Sequence, residues 1–177
     1  MNEERLKYPI GKFTLPSSIN EDNIKTWIND IESFLAKLQN AVSGLSDEQL
    51  DTPYRPEGWT IRQVVNHCAD SHMNSQMRFK LALTEKKPVI KPYLEAKWAM
   101  LPDSISMPIE PALKMLEGIH MRWTVLLKSL TKDQLSLSYV HPEQGREIRL
   151  DATIALYAWH SNHHLAHIVN LKELKGW

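Results

Sequence analysis

One cysteine, Cys68, is the only thiol in this chain. A single cysteine excludes an intramolecular disulfide and fits a reducing compartment or indifference to redox state. Net charge is absent as well, because 21 Lys and Arg residues face 21 Asp and Glu. The chain as a whole therefore has no electrostatic pull toward nucleic acid or an anionic membrane surface. No apolar run approaches the length of a membrane span. The opening stretch, Met1 to Lys7, lacks the apolar core of a signal peptide. Together these absences predict a soluble, cytoplasmic protein with no nucleic-acid or membrane partner.

What is present is ordinary in bulk and concentrated in detail. The 177 residues are 42% hydrophobic and 24% charged, enough for one substantial core, and they predict a single domain over residues 1–177. Residues 1–20 are punctuated by Pro9, Gly11 and Pro16 and read as an extended N-terminal arm. The helical period then appears. Trp27, Ile31, Phe34, Leu35, Leu38, Val42 and Leu45 recur at steps of three and four, with cap candidates at Asn20 to Asn23 and a stop at Gly44. A second long helix opens at Thr60, where Thr60-Ile61-Arg62-Gln63 fits a capping box. Its core face carries Ile61, Val64, Val65, Cys68 and His72, which makes Cys68 a small buried apolar residue. His67 lies about 100° from the centre of that stripe, on an edge shared with Ser71, Asn74 and Arg78. A polar column beside an apolar one is the layout of a helix that lines a pocket.

Residues 86–111 hold five of the ten prolines. This stretch predicts a Pro-rich cover with one short helical piece from Tyr93 to Leu101. A third long helix runs from about Ile109 to Leu130, with Pro111 in its first turn. The hexapeptide Leu130 to Leu135 then repeats the pattern of Leu45 to Leu50, and Pro142-Glu143-Gln144-Gly145 resembles Pro56-Glu57-Gly58. The offset of about 85 residues suggests a weak internal repeat with pseudo-two-fold character. A short hairpin is expected around Gln144-Gly145, and Asp151 is expected to cap the fourth long helix. Four long helices in this order predict an all-α four-helix bundle.

Four of the eight histidines, His160, His163, His164 and His167, fall within eight residues of that last helix. Residues four apart share a helix face, so His160/His164 and His163/His167 are each a two-nitrogen clamp that needs a third ligand. The apolar residues Ile154, Tyr157, Leu165, Ile168 and Leu171 define the buried direction. His164 lies about 60° from it and His160 about 100°, with His163 and His167 farther round. His163 and His167 are thus expected to support the ligands or to face solvent. His120 and His141 have no pairing signal and read as structural or surface residues.

The repeat places the second and fourth helices in equivalent positions, so His67 can face His160 and His164. Three neutral imidazoles with a fourth position open describe a catalytic rather than a structural metal site, with Zn²⁺ or Ni²⁺ as the ion. Ser71, Asn74 and Arg78 are the accompanying candidates for substrate contact. The pattern is not HExxH, because Ser161 follows His160 and no glutamate base is supplied there. A Lewis-acid role and the binding of a thiolate are therefore equally open.

The run Gly58-Trp59-Thr60-Ile61-Arg62-Gln63-Val64-Val65-Asn66-His67, followed far downstream by His160-Ser161-Asn162-His163-His164, resembles the DinB-like superfamily and its YfiT-type metal-dependent hydrolases. The arm from Tyr8 to Phe13 and the Tyr93 to Trp98 stretch fit the same subgroup. That resemblance implies metal ligands at His67, His160 and His164, a bound nickel or zinc ion and a homodimer. It also brings in relatives that transfer low-molecular-weight thiols such as bacillithiol, and a thiol-dependent isomerase. Metal-dependent hydrolysis of a small molecule, thiol transfer, and a non-catalytic metal-binding stress-response role are the functions it leaves in view.

Overall fold

The computed structural model describes residues 3–177. The chain forms helices α1 (Glu3–Lys7), α2 (Glu21–Val42), α3 (Asp47–Leu50), α4 (Ile61–Thr84), α5 (Glu95–Trp98), α6 (Pro102–Ser106), α7 (Glu110–Ser129) and α8 (Lys132–Leu135). The hairpin β1 (Ser138–His141) and β2 (Arg146–Arg149) precedes the last and longest helix, α9 (Leu150–Lys175). The long helices α2, α4, α7 and α9 make the bundle: α2 packs on α9 and α7, and α4 on α7 and α9.

Local chemistry fixes where these helices begin. Reciprocal capping boxes open α2 (Asn20 with Asn23), α3 (Ser46 with Gln49), α4 (Thr60 with Gln63) and α8 (Thr131 with Gln134). Each satisfies two N–H groups that the first turn leaves without carbonyl partners. The α3 and α8 boxes are the two copies of the repeated hexapeptide. Thr60→Ala should cost about 1 kcal/mol of stability in urea denaturation, with Thr60→Ser restoring most of it. An unchanged midpoint in the alanine variant would show that the cap contributes nothing to this helix.

The core has two layers with polar rings between them. One layer gathers Leu38, Ile61, Val64, Val65, Leu116 and Ile168; the other gathers Ile31, Phe79, Trp123, Leu127, Leu150 and Ile154. Cys68 is fully buried in the first layer, and burial pushes its thiol pKa up, as expected for an inert apolar filler.

The Pro-rich cover is tied down at both ends. Gln63 Nε2 donates to the Ala99 carbonyl at 2.7 Å, and Arg62 Nη1 to the Met107 carbonyl at 2.8 Å. The rest of the Arg62 guanidinium pairs with Asp51 and Asp47. Further up, Ile90 N donates to the Val140 carbonyl at 3.0 Å and Val140 N to that of Pro88 at 2.8 Å, joining the cover to the hairpin. Gly145 takes φ 60° at the hairpin turn, where a side chain would be strained.

Three local expectations need correction. The arm is not extended throughout, because Glu3–Lys7 forms α1. The cover contains two short helices rather than one, α6 being started by Pro102 in its first turn. Asp151 is not the cap of α9: Arg149 holds the cap position without a side-chain bond, and Asp151 sits inside the first turn, paired with Arg149 at 2.6 Å. An acid two residues past the cap still complements the helix dipole, so sequence spacing alone does not separate the two arrangements.

Candidate metal centre

His67 sits on α4 because the Thr60 cap sets the register of that helix and the Val64–Val65 face turns into the core. His160 and His164 lie one turn apart on α9, which packs against α4. The three rings converge. His67 Nε2 and His160 Nε2 are 3.1 Å apart, and one ligating nitrogen from each of the three lies within 4.8 Å of the others. His67 and His164 are buried and His160 is half-buried.

Burial pushes the His67 pKa down to about 4, helped by charge on His163. His160 and His164 are driven well below the usual imidazole range, first by burial and then by their neighbouring histidines. Neutral imidazoles at neutral pH are the state that offers lone pairs to a cation. His160 Nδ1 and His164 Nδ1 are buried without a hydrogen-bond partner among the described residues. Ring nitrogens within 4.8 Å of one another, on neutral rings, fit a borderline divalent ion.

A second trio lies beside the first. His163, His164 and His167 also bring ligand atoms within 4.8 Å, and His163 Nε2 and His167 Nε2 are 3.0 Å apart. Both His163 and His167 are buried, so exposure to solvent, one of their two expected roles, does not occur. The reason is aromatic cover, part of it from outside α9. Trp159 stacks on His163 with ring centres 4.5 Å apart, Tyr54 stacks on His167 at 3.8 Å, and Tyr8 of the arm reaches His163 at 6.1 Å. Neither trio includes a carboxylate.

His72 and His120 form a separate buried chain. The Ile31 carbonyl can only accept, so His120 Nδ1–H donates to it at 2.9 Å. Neutral His120 then accepts at Nε2 from His72 Nδ1–H at 2.7 Å. This leaves a bare lone pair on His72 Nε2, a buried atom without a partner among the described residues. His120 is thus structural, as its isolation in the sequence suggested.

A cavity of about 720 Å³ opens against the first trio. Trp59, His67, Ser71, Arg78, His160 and His164 line it together with Tyr93, Glu95, His141 and Glu143. Trp59 packs on the His67 ring at 4.7 Å. Of the candidates for substrate contact, Ser71 and Arg78 line the cavity and Asn74 does not. The Asn74 amide turns back to the Asp70 carbonyl at 2.9 Å, a local bond that angular position on the helix does not reveal. Ser71 Oγ lies 3.2 Å from Tyr157 Oη. Tyr93, Glu95, His141 and Glu143 were missed as lining residues because they come from the cover and the hairpin, whose placement no periodicity encodes. A cavity of about 830 Å³ between α2, α7 and the start of α9 has none of the histidines in its lining.

Residues 31–168 match the DinB superfamily. The chain belongs to that superfamily. This DinB superfamily member is 55% identical over 172 residues to a Bacillus cereus protein named provisionally as a metal-dependent hydrolase, covering 97% of this chain and 98% of that one. A Bacillus thuringiensis relative with the same provisional name is likewise 55% identical. Among solved structures, YfiT from Bacillus subtilis superposes with a TM-score of 0.95 at 47% identity, over 98% of this chain and 99% of that chain. YfiT is described provisionally as a metal-dependent hydrolase with an unusual four-helix bundle topology. A mycothiol-dependent maleylpyruvate isomerase shares the fold, with a TM-score of 0.63 at 16% identity over 84% of this chain and 60% of that one. Among the described residues, no helix of this DinB superfamily member is long and apolar enough to cross a membrane.

Proposed function

We propose that His67, His160 and His164 hold one divalent transition metal, Zn²⁺ or Ni²⁺, and that the protein is a metal-dependent hydrolase of a small molecule bound in the adjoining cavity. The observation that carries this reading is the convergence of three neutral imidazoles on one wall of a cavity of about 720 Å³. A divalent ion there would supply Lewis acidity to a substrate oxygen or sulfur. The residues of the chain do the rest. Trp59 and Trp159 wall off water, Ser71 offers a hydroxyl, and Glu95 is the carboxyl placed to hold a proton. Partial burial raises the Glu95 pKa above the ordinary glutamate value, with the Arg78 charge pulling the other way.

Transfer of a low-molecular-weight thiol is the second reading. It is favoured by ligand trios that contain only histidine and bring no carboxylate base to the metal. A cytoplasmic location and a homodimer belong to the same proposal, resting on the lone buried cysteine and on the family resemblance.

Untagged protein purified without added metal should carry close to one equivalent of a transition metal, and chelation should abolish turnover until Zn²⁺ or Ni²⁺ is restored. Ester and amide substrates, tested beside a thiol with an electrophile, separate the two chemistries. A metal content under about one-tenth of an equivalent, not restored by added ion, would sink both readings.

A further inference from the structure

Arg78 is a buried cation with no ion-pair partner among the described residues. Only 8% of its surface is exposed, and it lines the same cavity as His67, His160 and His164. Its Nε is buried without a hydrogen-bond partner, and its guanidinium makes no ion pair among the described residues. The two carboxylates of the cavity, Glu95 and Glu143, make no direct ion pair with it, although its charge reaches Glu95. The other buried arginine among the described residues is matched: Arg62 is held by Asp47 and Asp51 at 2.8 and 2.6 Å. Arginine cannot escape the cost by losing its proton, so a buried, unpaired guanidinium calls for an anion from outside the chain.

Placement along α4 says where that anion sits. Arg78 follows His67 by eleven residues, which is a rise of about 16 Å with the two side chains only about 20° apart around the helix. Helical side chains lean toward the N-terminus, so the Arg78 fork reaches back along the cavity toward His67. Ser71, between them on the same face, lines the cavity too.

We propose that Arg78 is an anchoring residue for a carboxylate on the substrate, several bonds removed from the group that meets the three histidines. The inference rests on the cavity being the substrate pocket. A carboxylate is the anion that fits, because the planar guanidinium matches its two oxygens bidentately. A phosphate dianion would bring a second negative charge beside Glu95 and Glu143, and those side chains oppose it.

The test uses chelator-treated full-length protein, so that it does not depend on a metal. Hexanoate, hexanol and inorganic phosphate are titrated by calorimetry into the wild type, Arg78→Met and Arg78→Lys. Hexanoate should bind the wild type at least about ten-fold more tightly than hexanol. That preference should vanish in Arg78→Met and survive in part in Arg78→Lys. Equal affinity for hexanoate and hexanol in the wild type overturns the proposal without recourse to any variant, as does a preference that persists in Arg78→Met. Should Arg78→Met fail to fold, a preference in Arg78→Lys equal to that of the wild type counts against bidentate anchoring. Phosphate binding tighter than hexanoate and dependent on Arg78 overturns the carboxylate assignment. Failure of the metal-site reading would appear in metal content, which this experiment does not consult.

Discussion

With His160 replaced by alanine, the protein is expected to purify with less than about one-tenth of an equivalent of transition metal and to lose metal-dependent turnover. His160 is the member of the first trio whose Nε2 stands 3.1 Å from that of His67 on the facing helix. Removing it leaves two nitrogens, His67 and His164, on different helices, and no carboxylate among the described residues belongs to that group. His67→Ala should behave in the same way, since it removes the one ligand that comes from α4. The second trio provides the control. His163→Ala and His167→Ala break that group and leave the first intact, so each should retain about one equivalent. Metal analysis of folded variants, checked by circular dichroism, decides between the groups. Metal lost in the His163 and His167 variants but kept in the His160 variant would move the site to the second trio.

Acid should unfold the metal-free protein over an unusually high pH range. Burial holds His67, His120 and His163 down to about 4 and His167 to about 3, and places His72, His160 and His164 well below the ordinary value of 6.5. The unfolded chain takes up protons near pH 6.5 while the folded one does not. With more protons bound in the unfolded state, stability rises with pH, so it is complete above about 6.5 and drains as pH falls toward 4 and below. A shift of that size in a single buried histidine corresponds to about 3 kcal/mol, against a total stability of about 5–15 kcal/mol for a typical domain. The histidines are neighbours and their contributions do not add. Asp70 works the other way: burial raises it to about 6, so its protonation offsets part of the loss between pH 6 and its unfolded value. Denaturant midpoints measured at intervals from pH 8 to 4 with chelator present should fall steeply below 6.5. Bound metal should delay the fall, because its ligands must stay deprotonated. A flat profile down to pH 4.5 would contradict the buried, neutral state of these rings.

The same histidines mark the boundary of what a linear reading can reach. Trp27 to Val42 declared a helix by period alone, and Thr60 with Gln63 declared where another begins, since capping is a contact between residues three apart. His160 and His164 were legible as a pair for the same reason. His163 and His167 were legible as a pair too, but their burial was not. Their cover comes from Tyr54 in a loop and Tyr8 in the arm, more than a hundred residues away in sequence. Asn74 shows the reverse failure, where a local hydrogen bond redirects a side chain that angular position had aimed elsewhere.

By itself, the sequence determined the four long helices, the caps of α2 and α4, the repeated α3 and α8 turns and the helical histidine pairs. All of these rest on interactions within one or two turns, so periodicity and spacing encode them. Only the tertiary structure decided that α4 faces α9 closely enough to bring His67 Nε2 to 3.1 Å from His160 Nε2, and that the cover and hairpin supply Tyr93, Glu95, His141 and Glu143 to one cavity. It also decided that Arg78 is buried there with no ion-pair partner among the described residues. These are contacts between distant segments, set by how apolar faces pack, and packing leaves no period in the chain.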